Sequence, residues 1–463
     1  MGPAVASYAT LLELIDAGMN VARLNFSHGT HEEHAEIIQN LKKARQQKSV
    51  SLSIMLDTKG PEIRVGKVQG DVVLLQAGQD LLLVKDEIMG DAKRIQVTPP
   101  EIIDSLKEGM TVLFDDGYIE AHVVKKVAEG VVIQIENGAT LKTHKGVNIP
   151  HAHVELPAMT QKDVADIKFG CQHEVDLIAA SFIRSADHVQ EIKKLLTACG
   201  RPETLVISKI ENSLGVEHFD AILEASDGIM VARGDLGVEL PLKRVPVLQK
   251  MMIRKCYSAA KPVVTATQML ESMIHNPRPT RAEVSDVANA IYDSTSCVML
   301  SGETAVGQYP VETVRMMRSV IEETESDFDY LAFLERAEKG EKWDIAFSVA
   351  LAAVKTAYTA KAKAIIASTQ SGFTARLISR FRPKMPILVH TSSLKTYQQL
   401  ALNWGVIPVP PLPAKSLEDV FKIATSFAID RNILQPGDLV VTTSGSPFGV
   451  SGTTNTMIVT HCS

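Results

Sequence analysis

Short apolar runs of the kind buried on both faces recur along this chain, with amphipathic helical patterns between them. No other feature limits the fold as strongly. The runs lie near 19–24, 51–56, 175–181, 205–210, 228–232, 262–266 and 296–300. Parallel strands covered by helices on both faces read as continuous apolar segments, whereas half-exposed strands alternate. Between them, Thr30 and Glu33 form a capping-box pair ahead of a face made by Ile37, Ile38, Leu41 and Ala44. Val216–Ala225 and Val245–Ala259 also read as helices. The expected fold class is α/β, a (β/α)8 TIM-type barrel. The count is one strand short. A helix near 7–17, stopped by Gly18, precedes the first run, and Met1-Gly2-Pro3-Ala4 is too short for the strand that belongs before it. Either the sequence starts late or the first strand is missing and the barrel has an unpaired gap, which would expose strand edges.

The pattern breaks between about Pro61 and Pro157. Short alternating runs such as Asp71–Leu75 and Val131–Ile135, separated by Gly, Asp and Asn, predict an all-β insertion. After about Glu325, helices near 343–359 and 373–381 alternate with strands near 363–367, 386–390 and 438–442, a smaller α/β unit. The expected organisation is a barrel domain over 1–60 and 158–326, a β-rich domain over 61–157 and a C-terminal domain over 327–463. A chain of 463 residues is long enough for such a set. A net charge of −6 leaves no basic stripe, which argues against nucleic acid as the main partner. No apolar run is long enough to cross a bilayer, and no signal-peptide pattern opens the chain. Cys171, Cys199, Cys256, Cys297 and Cys462 are scattered and odd in number, as expected for a reducing cytoplasm.

Reacting groups in a parallel barrel lie at the carboxyl ends of strands. Candidates recur there: Arg23, Asn25, Ser27 and His28; then Asp57, Thr58, Glu62 and Arg64; then Lys209 and Glu211, Gly234 and Asp235, Thr267, and Ser301-Gly302-Glu303. Lys209 and Glu211 share a strand face, because side chains alternate. An ammonium beside a carboxylate that can hold a divalent cation suits phosphoryl transfer, where charge on the moving oxygens must be neutralised. Arg23 and Arg64 suit bidentate binding of phosphate or carboxylate, against the plain alternative of surface arginines. Asn25, Ser27, Asp57 and Thr58 offer oxygen with a single carboxylate, which fits a monovalent cation; helix capping by Ser27 or Asp57 is the rival reading. Arg233-Gly234-Asp235 reads as a tight loop with free amides. The His31-Glu32-Glu33-His34 run lacks metal-site spacing and is expected on a solvated helix face; His151 and His153 are expected in a solvated loop. In the last unit Ser368, Thr369, Gln370, Ser371, Gly372, Phe373 and Thr374 join a strand to a helix, a candidate phosphate cradle that Ser444–Gly449 would cover; an ordinary helix cap is the rival.

Taken together these motifs resemble the pyruvate kinase family over nearly the whole chain. The resemblance rests on Arg-Leu-Asn-Phe-Ser-His-Gly (23–29), Asp-Thr-Lys-Gly-Pro-Glu-Ile-Arg (57–64), Ser-Lys-Ile-Glu-Asn (208–212) and Ala-Arg-Gly-Asp-Leu-Gly (232–237). It also rests on Thr-Gln-Met-Leu-Glu-Ser-Met (267–273), Pro-Arg-Pro-Thr-Arg-Ala-Glu (277–283) and Met-Leu-Ser-Gly-Glu-Thr-Ala (299–305). The resemblance implies a barrel with an inserted β-barrel lid and a C-terminal effector domain. It implies phosphoryl transfer from phosphoenolpyruvate to ADP, giving pyruvate and ATP, with Mg²⁺ and K⁺. By position, Lys209 would stabilise the phosphoryl in flight, and Glu211 and Asp235 would bind Mg²⁺. Gly234 and Thr267 would hold the substrate carboxylate, Thr267 would help deliver the proton, and Arg23 would contact the phosphate. Asn25, Ser27, Asp57 and Thr58 would hold K⁺, with Glu62 marking the K⁺-requiring branch. Arg64, His28 and Lys145 would meet the nucleotide, with Asn25 beside them. A phosphorylated effector and a homotetramer are implied as well.

Departures from the family pattern are Leu214, His144 before Lys145, and Ser294 and Ser296 in place of a usual Gly and Asp. The missing strand motivates a competing expectation, an inactive or truncated relative acting as a binding or regulatory protein. A lyase acting on phosphoenolpyruvate without ADP is a third.

Overall fold

The computed structural model describes residues 1–150, 156–339, 344–448 and 452–462. Its centre is a parallel sheet of seven strands in spatial order Val21–Asn25, Ser53–Asp57, Leu177–Ala180, Leu205–Ile210, Gly228–Ala232, Val263–Ala266 and Cys297–Val298. All seven expected runs are strands, and adjacent ones pair in parallel. Parity along each strand divides the side chains. Met55, Leu177, Ala179, Ile207, Met230, Val264 and Ala266 form an inner cluster plugged by Leu402. Their neighbours Ile54, Leu56, Ile178, Val206, Ile229, Val231 and Val263 pack outward with the helices. The inner parity also carries Arg23, Asp57 and Lys209 toward one mouth.

The first and last strands carry no further sheet partner among the described residues. A cavity of about 460 Å³ opens beside this seam, lined among others by Met1, Val21, Arg23, Cys297 and Met299. The Met1 ammonium donates to the Arg23 carbonyl at 2.6 Å. Burial, aided by Arg23, pushes that ammonium down to about 5.

The helices follow their local signals. Thr30 and Glu33 make the capping box of His31–Lys48, worth about 1 kcal/mol. Tyr8–Ala17 starts on Ser7 and ends on left-handed Gly18. Two expectations need correction. Val216–Ala225 is not one helix: Ser213–Glu217 and Phe219–Ala225 are separated at His218, which leaves the helical region at φ −94°, ψ 18°. His31 and His34 are not a solvated pair. His34 is buried, stacks on Phe26 at 4.0 Å between centroids and bonds the His28 carbonyl, while His31 pairs with Asp166. The helix's first turn leans on the end of the first strand, which sequence spacing cannot display. His151 and His153 lie outside the described residues.

Between the second and third barrel strands a separate sheet runs in the order Val147–Asn148, Thr111–Phe114, Ile119–Val127, Gly130–Ile135, Asp80–Val84, Arg94–Thr98, Arg64–Val65. The bridge between Arg64 and Gly146 brings its two edges together, so it closes on its own core of Val65, Leu81, Leu83, Val97, Phe114 and Ile133. Val72–Leu75 pairs with Ala139–Lys142 beside it. Asn148 Nδ2 donates to Glu239 Oε1 at 3.0 Å, tying this unit to the barrel's Arg233–Glu239 helix.

The C-terminal sheet has five strands, ordered Val406–Val409, Ile387–His390, Ala364–Ser368, Leu439–Gly445, Thr454–His461, the last antiparallel. Two of these exceed the expectation. Val406–Val409 is a four-residue edge strand interrupted by Pro408, and in Thr454–His461 polar residues flank the short stretch Met457-Ile458-Val459. This unit grips the amino end of strand Ser53–Asp57. Gln398 Oε1 accepts the Leu52 amide at 2.9 Å and the Ser53 hydroxyl donates to the Gln398 carbonyl at 2.6 Å. No helix among the described residues is long and apolar enough to cross a membrane.

Candidate active site

Strand register assembles the site. Asn25 lies beside Asp57 and Asp57 beside Ala179, so the next inward positions, Ser181 and Lys209, sit one layer nearer the mouth. Lys209 Nζ is 2.9 Å from Glu211 Oε1, 3.1 Å from Asp57 Oδ1 and 2.7 Å from Ser181 Oγ. Arg23 Nε donates to the other Asp57 oxygen at 2.5 Å. Burial opposes ionisation of Asp57, but Arg23 and Lys209 outweigh it and hold the carboxyl below its usual range. Burial likewise opposes the Lys209 charge, and Asp57 and Glu211 together hold that pKa above the usual lysine range.

Glu211 is buried, with Oε2 accepting the Phe182 amide at 2.5 Å. Burial pushes its carboxyl up to about 7; Lys209 pulls it down and Asp235 adds to the rise. Burial also raises Asp235, and Lys209 and Glu211 work against that rise. Two neighbouring carboxyl groups, both raised by burial, offer oxygen of the kind a hard divalent cation takes. Among the described residues no group of three or more His, Cys, Asp or Glu side chains is placed to hold a metal.

Thr267 sits across the mouth in the left-handed region, at φ 70°, followed by Gln268 at φ 53°. A β-branched residue there stores strain of about 1–3 kcal/mol. Arg233 holds it, donating to the Thr267 carbonyl at 2.6 Å and the Ala266 carbonyl at 3.2 Å while pairing with Asp286 at 2.7 Å. Arg233-Gly234-Asp235 is not the free loop expected: it is the first turn of helix Arg233–Glu239, and the Gly234 amide donates to Thr267 Oγ1 at 2.9 Å.

The oxygen set near Asp57 is partly committed. Asn25 Oδ1 accepts the Ser27 amide at 3.1 Å, and neither Ser27 nor Asp57 caps a helix, since Thr30 does. Thr58 Oγ1 accepts the Ser181 amide at 3.1 Å. Arg64, Glu62 and Lys145 stand apart on the lid side. Arg64 Nε donates to Glu62 at 2.6 Å and its Nη1 to the His144 carbonyl at 2.7 Å, while Lys145 pairs with Asp115. The loop 368–374 is remote, in the C-terminal unit. Ser368, Thr369, Gln370, Phe373 and Thr374 line a cavity of about 20 Å³ with Ser444 and Thr454. The Ser371 carbonyl is taken by Arg376, and left-handed Gly372 starts the helix without a side-chain cap.

Sequence reading missed Ser181 and Phe182. Their signal was positional: they follow the one interior strand end to which no candidate had been assigned.

Comparison with known proteins gives two family matches, "Pyruvate kinase, barrel domain" over residues 1–314 and "Pyruvate kinase, alpha/beta domain" over 348–460. The chain is 46% identical over 461 residues to a pyruvate kinase of Geobacillus stearothermophilus, covering 99% of this chain and 78% of that one. It is 44% identical to that of Clostridium acetobutylicum, covering 99% and 97%. It is 46% identical to that of Chlamydia trachomatis serovar D, covering 99% and 95%.

Proposed function

The chain belongs to the pyruvate kinase family, and from that premise we propose how its residues divide the work of moving a phosphoryl group. The enzyme is a phosphotransferase acting on phosphoenolpyruvate and ADP to give pyruvate and ATP, in glycolysis. Family membership implies a divalent and a monovalent cation. No comparison supports the inactive-relative alternative.

One observation carries the assignment: the Lys209 ammonium and the Glu211 carboxylate meet at 2.9 Å at the barrel's mouth. Lys209 faces the transferring phosphoryl and neutralises its developing charge. Arg23, anchored on Asp57, orients the substrate phosphate. The Gly234 amide and Thr267 hydroxyl hold the substrate carboxylate, and Thr267 stands where a proton reaches the enolate carbon. Glu211 and Asp235 would hold the divalent ion, Mg²⁺, which would supply charge neutralisation for the transferring phosphoryl. Asn25, Ser27, Asp57 and Thr58 would form the monovalent site, for K⁺, and Glu62 matches the K⁺-requiring branch of the family. Arg64, His28, Lys145 and Asn25 face the nucleotide. Residues 61–157 serve as a lid between the barrel segments 1–60 and 158–326, closing over the reacting groups to exclude water. The segment 327–463 serves assembly as a homotetramer and regulation, with the hydroxyls of loop 368–374 receiving a phosphorylated effector. The site of action is the cytoplasm.

The test is pyruvate formation coupled to NADH oxidation by lactate dehydrogenase, run with Mg²⁺ or chelator and with K⁺ or Na⁺. The expected result is ADP-dependent turnover that needs Mg²⁺ and rises with K⁺. Pyruvate formed without ADP, or turnover indifferent to both ions, overturns the assignment.

A further inference from the structure

Ser181 is nearly inaccessible at 3% exposure, yet its hydroxyl touches three polar atoms of the site. Thr58 O lies at 2.6 Å, Lys209 Nζ at 2.7 Å and Asp57 Oδ1 at 3.3 Å. A serine hydroxyl has one hydrogen, a carbonyl only accepts and an ammonium only donates. The Ser181 hydrogen therefore goes to Thr58 O, its short partner, and its oxygen accepts from Lys209. The Ser181 amide is itself fixed on Thr58 Oγ1. Gly60 closes the other side: at φ +74° its backbone lies so near that an added Cβ would stand 2.8 Å from Ser181 Cβ.

Lys209 has three N–H donors and three acceptors: Asp57, Ser181 and Glu211. In this arrangement none is left for a phosphoryl oxygen. Two of the acceptors are carboxylates that the proposed reading also assigns to cations. A Glu211 oxygen turned to a divalent ion, or an Asp57 oxygen turned to a monovalent one, gives up Lys209. Ser181 has no such second use.

We propose that Ser181 is the positioning residue for Lys209: a fixed acceptor on which the ammonium pivots as Glu211 and Asp57 turn to their cations, freeing N–H donors for the substrate. The inference rests on the phosphoryl-transfer reading above. It makes Lys209 unavailable until the cation sites are filled, so the ammonium is poised only in the loaded site.

The test uses Ser181→Ala and Ser181→Thr in the full chain. Losing a hydrogen bond to a charged group lowers kcat at least about tenfold in Ser181→Ala. The KM for phosphoenolpyruvate is expected to stay within about threefold, and Ser181→Thr, which keeps the acceptor, restores kcat. A second readout needs no turnover. Mn²⁺ binding to the substrate-free protein, followed by the electron paramagnetic resonance of free Mn²⁺, is expected to weaken at least about threefold in Ser181→Ala, because Lys209 then leans harder on Glu211. In a Lys209→Met background the same substitution is expected to leave Mn²⁺ affinity unchanged. A kcat for Ser181→Ala within twofold of the parent overturns the proposal. So does an equal Mn²⁺ shift in both backgrounds. Failure of the parent to form pyruvate would strike the functional reading, while the Mn²⁺ comparison would still judge the pivot.

Discussion

The Gly234 amide and the Thr267 hydroxyl satisfy each other across 2.9 Å. Thr267 passes its own hydrogen to the Ala266 carbonyl at 2.7 Å. The hydroxyl oxygen thus stands where a substrate carboxylate oxygen would accept the same amide. Binding is an exchange of one acceptor for another, and a swing of the threonine side chain releases the amide.

That exchange needs the hydroxyl but not the methyl. Thr267→Ser is expected to keep kcat within about threefold. Thr267→Ala, which loses the hydroxyl that trades places with the substrate carboxylate, is expected to lose about 10²-fold or more. Steady-state kinetics of the two variants checks this, and similar rates in both would place the proton and the carboxylate elsewhere.

Lys209→Met retains length and removes the charge. The expected outcome is a folded protein with turnover reduced by about 10³-fold or more, the scale seen when a cation facing a transferring phosphoryl is removed. Circular dichroism confirms folding and the coupled assay reads the rate. Near-normal turnover would remove Lys209 from the chemistry.

Burial pushes the His188 imidazole down to about 4, Arg184 adds to the fall, and the ring's Nδ1 has no partner. The folded protein therefore holds this ring neutral at a pH where the unfolded chain, with its ordinary value near 6.5, binds a proton. Its stability contribution is complete above pH 6.5 and is lost as pH falls toward 4. His188→Leu is expected to flatten the dependence of melting temperature on pH within that window. Parallel curves for the variant and its parent would refute the assignment.

Arg382 is only 2% exposed and has no carboxylate among its hydrogen-bond partners. Its Nη2 donates to the Ser294 carbonyl at 2.9 Å and the Ser296 hydroxyl at 3.2 Å, its Nε has no partner, and burial pushes its pKa down to about 9. Ser296 stands where the family pattern usually has an acid. Ser296→Asp is expected to stabilise the junction by roughly 1–3 kcal/mol, since an unpaired buried charge is costly. A higher melting temperature at pH 8 is the readout; an unchanged or lower one would mean that Arg382 is already compensated.

The seven barrel strands were legible because doubly covered strands write themselves as apolar runs. Lys209 and Glu211 were legible for a related reason: charges that end such a run have nowhere to point but the mouth. The edge strands Val406–Val409 and Thr454–His461 were harder to read, because Pro408 interrupts the first and polar residues flank the short apolar stretch of the second. The buried His34 was hidden because its partner, the His28 carbonyl, is a backbone group that composition does not mark. Ser181 looked like any serine until the register placed it beside Lys209. The occupied Gly234 amide was likewise invisible, because its partner arrives from the strand next door.

The strand Ser53–Asp57 is clasped at one end by Gln398 and carries Asp57 at the other. Thr396, two residues from Gln398, donates to the Gln370 carbonyl in the remote hydroxyl-lined loop. The C-terminal sheet therefore cannot swivel on the barrel while keeping these clasps unless it drags a five-residue lever whose far tip steadies both Arg23 and Lys209. A tilt at the hub of that lever is delivered to the reaction chamber as a change in aim.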